Sequence, residues 1–372
     1  MKKILSAILF IFLGGIVTGG FFIYQRFQHN PEQIIPFPYS FKNATSAIKL
    51  DAPILIIGDR MGHYLARFNA ELAETISKDL DKPIRIQSLA KPGHALHRTL
   101  HELKALSQWP QILIYQGGSE EFSESKFLPS EIAKIKRNFD LYRDERIETL
   151  LMLAPWISRL IYTPVKPAVL GEAPTIEEVS EENYLQRLET ELLLFEQQLI
   201  QLVNLSKDRN TLLILTTTPL NLEQPPQRVC EFTRTSEIDT EIFSIRGLMN
   251  ENNPKEAFSR SSVLINEYSA NPELIFLHGQ IAKRMGELSE AVDALLKATA
   301  YDCRPWRATE VQNSIIRKIA NNHQVILFDF AKMVNDDFGQ NTTFFDELYP
   351  QNLYYDRGMQ QLGLLIKKIL KL

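Results

Sequence analysis

What most narrows the fold is a set of short apolar runs with helical stretches between them. Pro53-Ile-Leu-Ile-Ile57 stops at Gly58-Asp59, Ile84–Leu89 follows, and Gln111-Ile-Leu-Ile-Tyr115 stops at Gly117-Gly118. Between the first two, Leu65, Phe68, Leu72 and Ile76 recur at helical spacing, and between the next two Leu96, Leu100, Leu103 and Leu106 do the same. Strands that are apolar throughout, rather than alternating, are buried on both faces, and helices between them supply parallel crossovers. Thr211–Thr218 and Gln324–Phe330 continue the series as fourth and fifth strands. The expected class is therefore α/β, a three-layer α/β/α domain around a parallel sheet.

About a hundred residues separate the fourth and fifth strands, far too many for an ordinary crossover of ~10–15 residues. The expected insertion covers 236–320, between domain parts 51–235 and 321–372. Within it, Asn271–Ala300 reads as two amphipathic helices joined at Met285-Gly286-Glu287, with Ala291 and Ala298 placed for close packing. This segment resembles one tetratricopeptide repeat, with Gly279 at the small position of its first helix. One unit cannot build a concave groove, so a hairpin packed over the sheet is expected. Residues 172–191 carry seven glutamates and one basic residue, Arg187, and read as a solvated loop and helix start.

At the N-terminus, Lys2 and Lys3 precede Ile4–Tyr24, an uncharged run of 21 residues. At ~1.5 Å per residue it is long enough to cross a ~30 Å hydrocarbon layer. The expectation is an uncleaved anchor at 1–24 with a cytoplasmic N-terminus, then a polar strap at 25–50. Gly15 and Gly19 form a GxxxG that would suit self-association. With 41 Lys+Arg against 45 Asp+Glu the formal net charge is −4, which argues against a general nucleic-acid binder. Cys230 and Cys303 are too few for a disulfide scaffold, although one bond between them stays open.

The chemistry-bearing motifs stand at strand ends: Ile56-Ile-Gly-Asp-Arg60, Ala90-Lys-Pro-Gly93, Gln116-Gly-Gly-Ser-Glu-Glu-Phe122, and Phe345-Asp-Glu-Leu-Tyr-Pro350 with Gly358 after it. In their order they resemble the SGNH (GDSL-type) hydrolases, in particular a membrane-anchored bacterial subgroup with a tetratricopeptide-like insertion. Ala300–Ala308 (AYDCRPWRA) and Asn313 fit that subgroup too. The resemblance implies a nucleophilic serine where Arg60 stands and an oxyanion donor at Gly93. It implies an oxyanion asparagine where Ser119 stands, after a histidine replaced by Gly118. It implies an Asp-x-x-His whose aspartate is Asp346 and whose base is replaced by Tyr349. No cofactor is implied.

An arginine has no lone pair to attack a carbonyl, and a tyrosine with a pKa near ~10 is a poor base at neutral pH. The sequence therefore points to a catalytically inactive, membrane-anchored binding or scaffolding module at the outer face of a bacterial inner membrane, its partner another cell-envelope protein. In its degenerate site Asp59, Glu120 or Glu121 would neutralise Arg60. The alternative is an atypical esterase, deacetylase or acyltransferase acting on envelope glycan or lipid, with hydroxyls from Ser88, Ser119 or Ser123. His94, His97 and His101, spaced i, i+3, i+7, offer a weak metal alternative with His63, although Pro92-Gly93 favours a turn at His94.

Overall fold

The computed structural model describes residues 14–15, 18–21, 48–78, 83–123, 126–166 and 180–370. Its centre is a five-stranded parallel sheet in the order β2-β1-β3-β4-β5, with β1 Ile54–Gly58, β2 Ile86–Ser88, β3 Ile112–Gln116, β4 Leu212–Thr216 and β5 Ile326–Phe328. β1 and β3 pair from Ile54↔Ile112 to Gly58↔Gln116, so their C-terminal ends are level.

Helices α1 (Arg60–Leu65) and α2 (Asn69–Ser77) follow β1, and α3 (Leu96–Lys104) follows β2. The single helix expected after the first strand is thus broken by a 3-10 turn at Ala66–Phe68. After β3 come α4 (Ile132–Tyr142), α5 (Glu145–Leu153) and α6 (Ser158–Ile161), then the long α7 (Glu181–Asp208) before β4. Between β4 and β5 lie α8 (Ser236–Asn250), α9 (Pro254–Glu267), α10 (Pro272–Met285), α11 (Leu288–Ala300) and α12 (Glu310–Asn322). α13 (Phe330–Asn335) and α14 (Asn352–Leu370) close the chain.

Alternate residues of each strand point to opposite faces, and both faces are covered. Leu55, Ile57, Leu113 and Leu215 pack with Leu100 and Leu103 of α3, Leu199 and Leu202 of α7, and Ile316 and Ile319 of α12. Ile54, Ile56, Ile114 and Ile214 pack with Leu72 and Ile76 of α2, Phe330 of α13, and Met359, Leu362 and Ile366 of α14. Each such side chain taken out of water contributes about 2 kcal/mol before entropy is counted.

Among the described residues, 48–123 and 180–370 fall in one compact unit and 126–166 in another. Within that other unit, Asn138 is tied through both side-chain atoms to the backbone of Thr163, and Glu131 accepts from Lys134 and from the Lys166 N–H. α12 falls inside the expected insertion, 236–320, yet packs on the sheet through Ile316 and Ile319, which its amphipathic pattern alone could not assign to a partner.

The insertion proper also holds two helical hairpins, not one. In the second, α10 ends at Gly286 in the left-handed region (φ 85°), and a Cβ on Gly279 would fall 2.7 Å from Leu295, so α10 and α11 lie close. Ala291 and Ala298 are fully buried there. The first hairpin, α8–α9, buries Ile238, Ile242, Ile245 and Ala257. Asn253 and Asn271 cap α9 and α10 ahead of a proline at the first helical position, the same start used twice.

Among the described residues no helix is long and apolar enough to cross a membrane. The anchor expected at 4–24 lies outside them except for residues 14–15 and 18–21, which are helical, and the strap at 25–50 lies outside them up to residue 47. Among the described residues, Gly15 and Gly19 have no neighbour within 4 Å of where a Cβ would stand. Cys230 and Cys303 form a disulfide that joins the segment after β4 to the segment after α11.

Candidate functional site

In the order 2-1-3-4-5 the crossovers turn opposite ways on either side of β1 and β3, which leaves a crevice at their carboxyl ends. The two motif loops meet there. Gly58 allows the approach: its φ is 138°, and a Cβ would stand 1.7 Å from the Gln116 carbonyl oxygen. Any side chain at 58 would push β1 and β3 apart at the level where the site begins.

Asp59 is buried and binds four donors. Its Oδ1 accepts from the Met61 N–H (2.8 Å), capping α1, and its Oδ2 accepts from the Ser119 N–H (2.6 Å), the Ser119 hydroxyl (2.8 Å) and the Glu120 N–H (3.1 Å). Burial pushes its carboxyl up to about 6 despite those hydrogen bonds. Arg60 donates from Nε to Oε1 of Glu120, and the Gly93 N–H donates to the same oxygen at 3.3 Å. Glu120 is 2% exposed. Burial alone would raise its pKa, but the hydrogen bond and charge of Arg60, with the Gly93 N–H, outweigh it and hold the carboxyl below the usual glutamate range. Glu121, also buried, accepts the Leu96 N–H at the start of α3 (2.8 Å). Of the three acids expected to neutralise Arg60, Glu120 is the one hydrogen-bonded to it.

The C-terminal motif forms a short loop on the same edge, closed by the Gln351 N–H donating to the Thr343 carbonyl (2.9 Å). Asp346 is exposed. Its carboxylate accepts the Leu348 and Tyr349 N–H groups (2.8 and 2.6 Å), so it shapes its own loop. Tyr349 stacks on Tyr64 of α1, with ring centroids 4.4 Å apart, and burial, against the opposing charge of Arg60, raises its hydroxyl pKa. Phe345, 55% exposed, stacks beyond Tyr349 at 6.1 Å.

A small cleft of about 10 Å³ opens beside Ser119, between Met61, Leu220, Asn221, Arg307 and Leu348. The Arg307 guanidinium, buried and lowered in pKa by that burial, donates to the carbonyls of Asn221 (3.1 Å) and Gln224 (2.8 Å). Asn313 is hydrogen-bonded to both the N–H and the carbonyl of Thr218, and the Asn221 amide donates to the Asp346 carbonyl (2.8 Å). These wall residues were not foreseen as site residues. Arg307 and Asn313 stood in the motif quoted above, but no spacing rule ties either to a loop 83–95 positions away.

Among the histidines, His63 of α1 lies with Nδ1 3.2 Å from the Ala90 carbonyl oxygen. His94 is in the turn before α3, while His97 and His101 are on the helix. Among the described residues the one trio of metal-type ligand atoms within 4.8 Å of one another is Glu181, Cys230 and Cys303, whose cysteines are disulfide-bonded, so His94, His97 and His101 form no such trio. Chemically, the edge offers a hydroxyl held by a carboxylate, a guanidinium held by a second one, and the Met61, Gly93, Leu96, Ser119 and Glu120 N–H groups, each with a side-chain carboxylate as acceptor. Compared with protein-family models, curated proteins and solved structures, the chain matches none.

Proposed function

We propose that this chain is an SGNH-like module, anchored to a bacterial inner membrane by residues 4–24, that binds a cell-envelope partner and does not hydrolyse esters. One observation carries the reading: the Gly93 N–H, the donor an oxyanion would need, is hydrogen-bonded to Glu120, and so is the arginine standing at the nucleophile position. The parallel sheet with Arg60, Gly93 and Ser119 at one edge supports the SGNH-like part. The disulfide between Cys230 and Cys303 supports an oxidising, extracytoplasmic setting. The exposed ring of Phe345 gives a partner an aromatic contact to hold.

A second reading has one observation in its favour. Ser119 Oγ lies 2.8 Å from Asp59, a carboxylate with a pKa near neutrality, which is a hydroxyl–base pair. Against it, the Ser119 and Glu120 N–H groups are both taken up by Asp59, so no donor pair faces that hydroxyl. In-cell crosslinking of the chain with its anchor kept should capture one envelope partner, and capture should fall when Phe345 is replaced by alanine. Purified protein should show no turnover of p-nitrophenyl acyl esters; turnover lost on Ser119→Ala would replace this reading with the second.

A further inference from the structure

Backbone N–H groups at the C-terminal edge of the sheet form three separate anion-binding positions, and each is filled by a side chain of the same chain. Asp59 takes Met61, Ser119 and Glu120; Glu121 takes Leu96; Glu120 takes Gly93. The last position differs from the others in two ways. It includes a cation, Arg60, and that side chain is 27% exposed, so the position has a route to solvent. The acid filling it is nearly fully buried yet stays ionised more readily than a free glutamate, a sign that the surroundings are built for negative charge.

We infer that Arg60 and the Gly93 N–H form a carboxylate-binding site which Glu120 occupies as a tethered ligand, and that a free carboxylate of matching size takes the place when Glu120 is displaced or removed. The inference rests on the edge being a binding site rather than a hydrolytic one, and it names the ligand chemistry: a carboxylate-bearing group, on a partner side chain or a small acid, exchanging with Glu120. A tethered carboxylate competes at high effective concentration, so external carboxylates bind weakly to the unaltered protein. Arg60 is the residue that distinguishes this position from ordinary backbone capping, since its planar donors match a carboxylate edge.

Chemical rescue tests this directly. In full-length, detergent-solubilised protein, Glu120→Ala should lower Tm, and sodium formate should restore it along a saturable curve by at least ~2 °C beyond sodium chloride at equal ionic strength. The unaltered protein should show no such formate response, and neither should Arg60→Ala/Glu120→Ala. Glu120→Ser serves with the same readout if the alanine variant does not accumulate folded. A formate response in Glu120→Ala or Glu120→Ser no larger than in the unaltered protein, or one that persists without Arg60, overturns the inference. Ester turnover by the unaltered protein would instead strike the reading of the edge as non-hydrolytic, so the two failures are told apart.

Discussion

Two regions of this molecule invert each other. At the C-terminal edge of the sheet Arg60 is hydrogen-bonded to one buried carboxylate, Glu120, and the Ser119 hydroxyl to another, Asp59. In the insertion, Ser261 Oγ lies 2.8 Å from His278 Nδ1, and His278 Nε2 lies 3.1 Å from Glu290 Oε1. That is the connectivity of a nucleophile, a base and its orienting acid. Ser261 and His278 are fully buried among α9, α10 and α11, with Phe258 stacked on the imidazole at 5.1 Å, so no substrate reaches the hydroxyl. Connectivity without access makes a brace, whereas the edge has access, through the partly exposed Arg60 side chain, without that connectivity. Catalysis needs both in one place.

The largest effect expected from breaking the comparison comes from the bond that joins the two regions. The Cys230–Cys303 disulfide spans 73 residues, which include all four insertion helices and so the relay. Replacing both cysteines with serine should lower unfolding stability by about 4 kcal/mol, chiefly by freeing the unfolded chain. Urea melts of the two forms, with and without a thiol reductant, measure it. A variant as stable as the parent would show that the bond constrains nothing.

Next comes the brace. His278→Ala removes a fully buried ring and leaves the Ser261 hydroxyl with the Phe258 carbonyl alone, at a cost of about 3 kcal/mol. Ser261→Ala loses the hydrogen bonds to His278 and to the Phe258 carbonyl and should cost about 2 kcal/mol. Neither change should alter hydrolysis of any acyl ester. If Ser261→Ala abolished an activity while leaving the melt untouched, the relay would be a catalytic site and the two regions would exchange roles.

How much of this contrast could be read from the chain depends on the distance over which residues interact. The strands were legible because Ile54–Ile57 and Ile112–Tyr115 are apolar at every position, which only a doubly covered sheet explains. Arg60, Gly93 and Ser119 were legible as neighbours because each follows a strand-end turn. The choice of Glu120 over Asp59 and Glu121 as the acid bonded to Arg60 was not, since it depends on how the loop after β3 turns at Gly118 (φ 107°). Tyr349 on Tyr64, a loop residue against a helix residue 285 positions away, carried no local signal. The α8–α9 hairpin was missed because Gly286 has no counterpart there: its turn is Asn252-Asn253, where Asn252 takes the left-handed conformation in place of glycine.

The site's acids also separate the regions by pH. Asp59 has a folded pKa of about 6 against 3.8 when exposed, so the folded protein binds its proton more tightly than the unfolded chain does. Its contribution to stability is therefore full below 3.8 and is lost as pH rises through 6, a span worth about 3 kcal/mol in total and less over any narrower range. Glu120 and Asp329, both depressed, contribute in the opposite sense, losing stability as pH falls. Between pH 8 and pH 5 the Asp59 trend therefore dominates, and the parent's urea midpoint should be higher at pH 5, because the opposing contributions are lost only below about 4.5 for Glu120 and 3.8 for Asp329. Asp59→Asn should remove most of that gain at pH 5. An Asn variant with the parent's pH profile would place the titration elsewhere.

The smallest expected effect is a gain of activity that does not come. Arg60→Ser returns a hydroxyl to the nucleophile position, but it leaves Glu120 on the Gly93 N–H and Tyr349 where a base would stand. Burial raises the Tyr349 pKa, so at neutral pH its hydroxyl holds its proton and cannot accept another from serine. Asp59 does not substitute, because its oxygens are already engaged by Met61, Ser119 and Glu120. Ester hydrolysis by Arg60→Ser should therefore be indistinguishable from buffer, and adding Tyr349→His should still fall short while Glu120 fills the anion position. Only with Glu120→Gly as a third change do a hydroxyl, an imidazole and a vacant backbone donor share the edge. If turnover appeared with Arg60→Ser alone, Glu120 would have to leave Gly93 without a competitor, and the tethered carboxylate would be a loose contact rather than the group that closes the site.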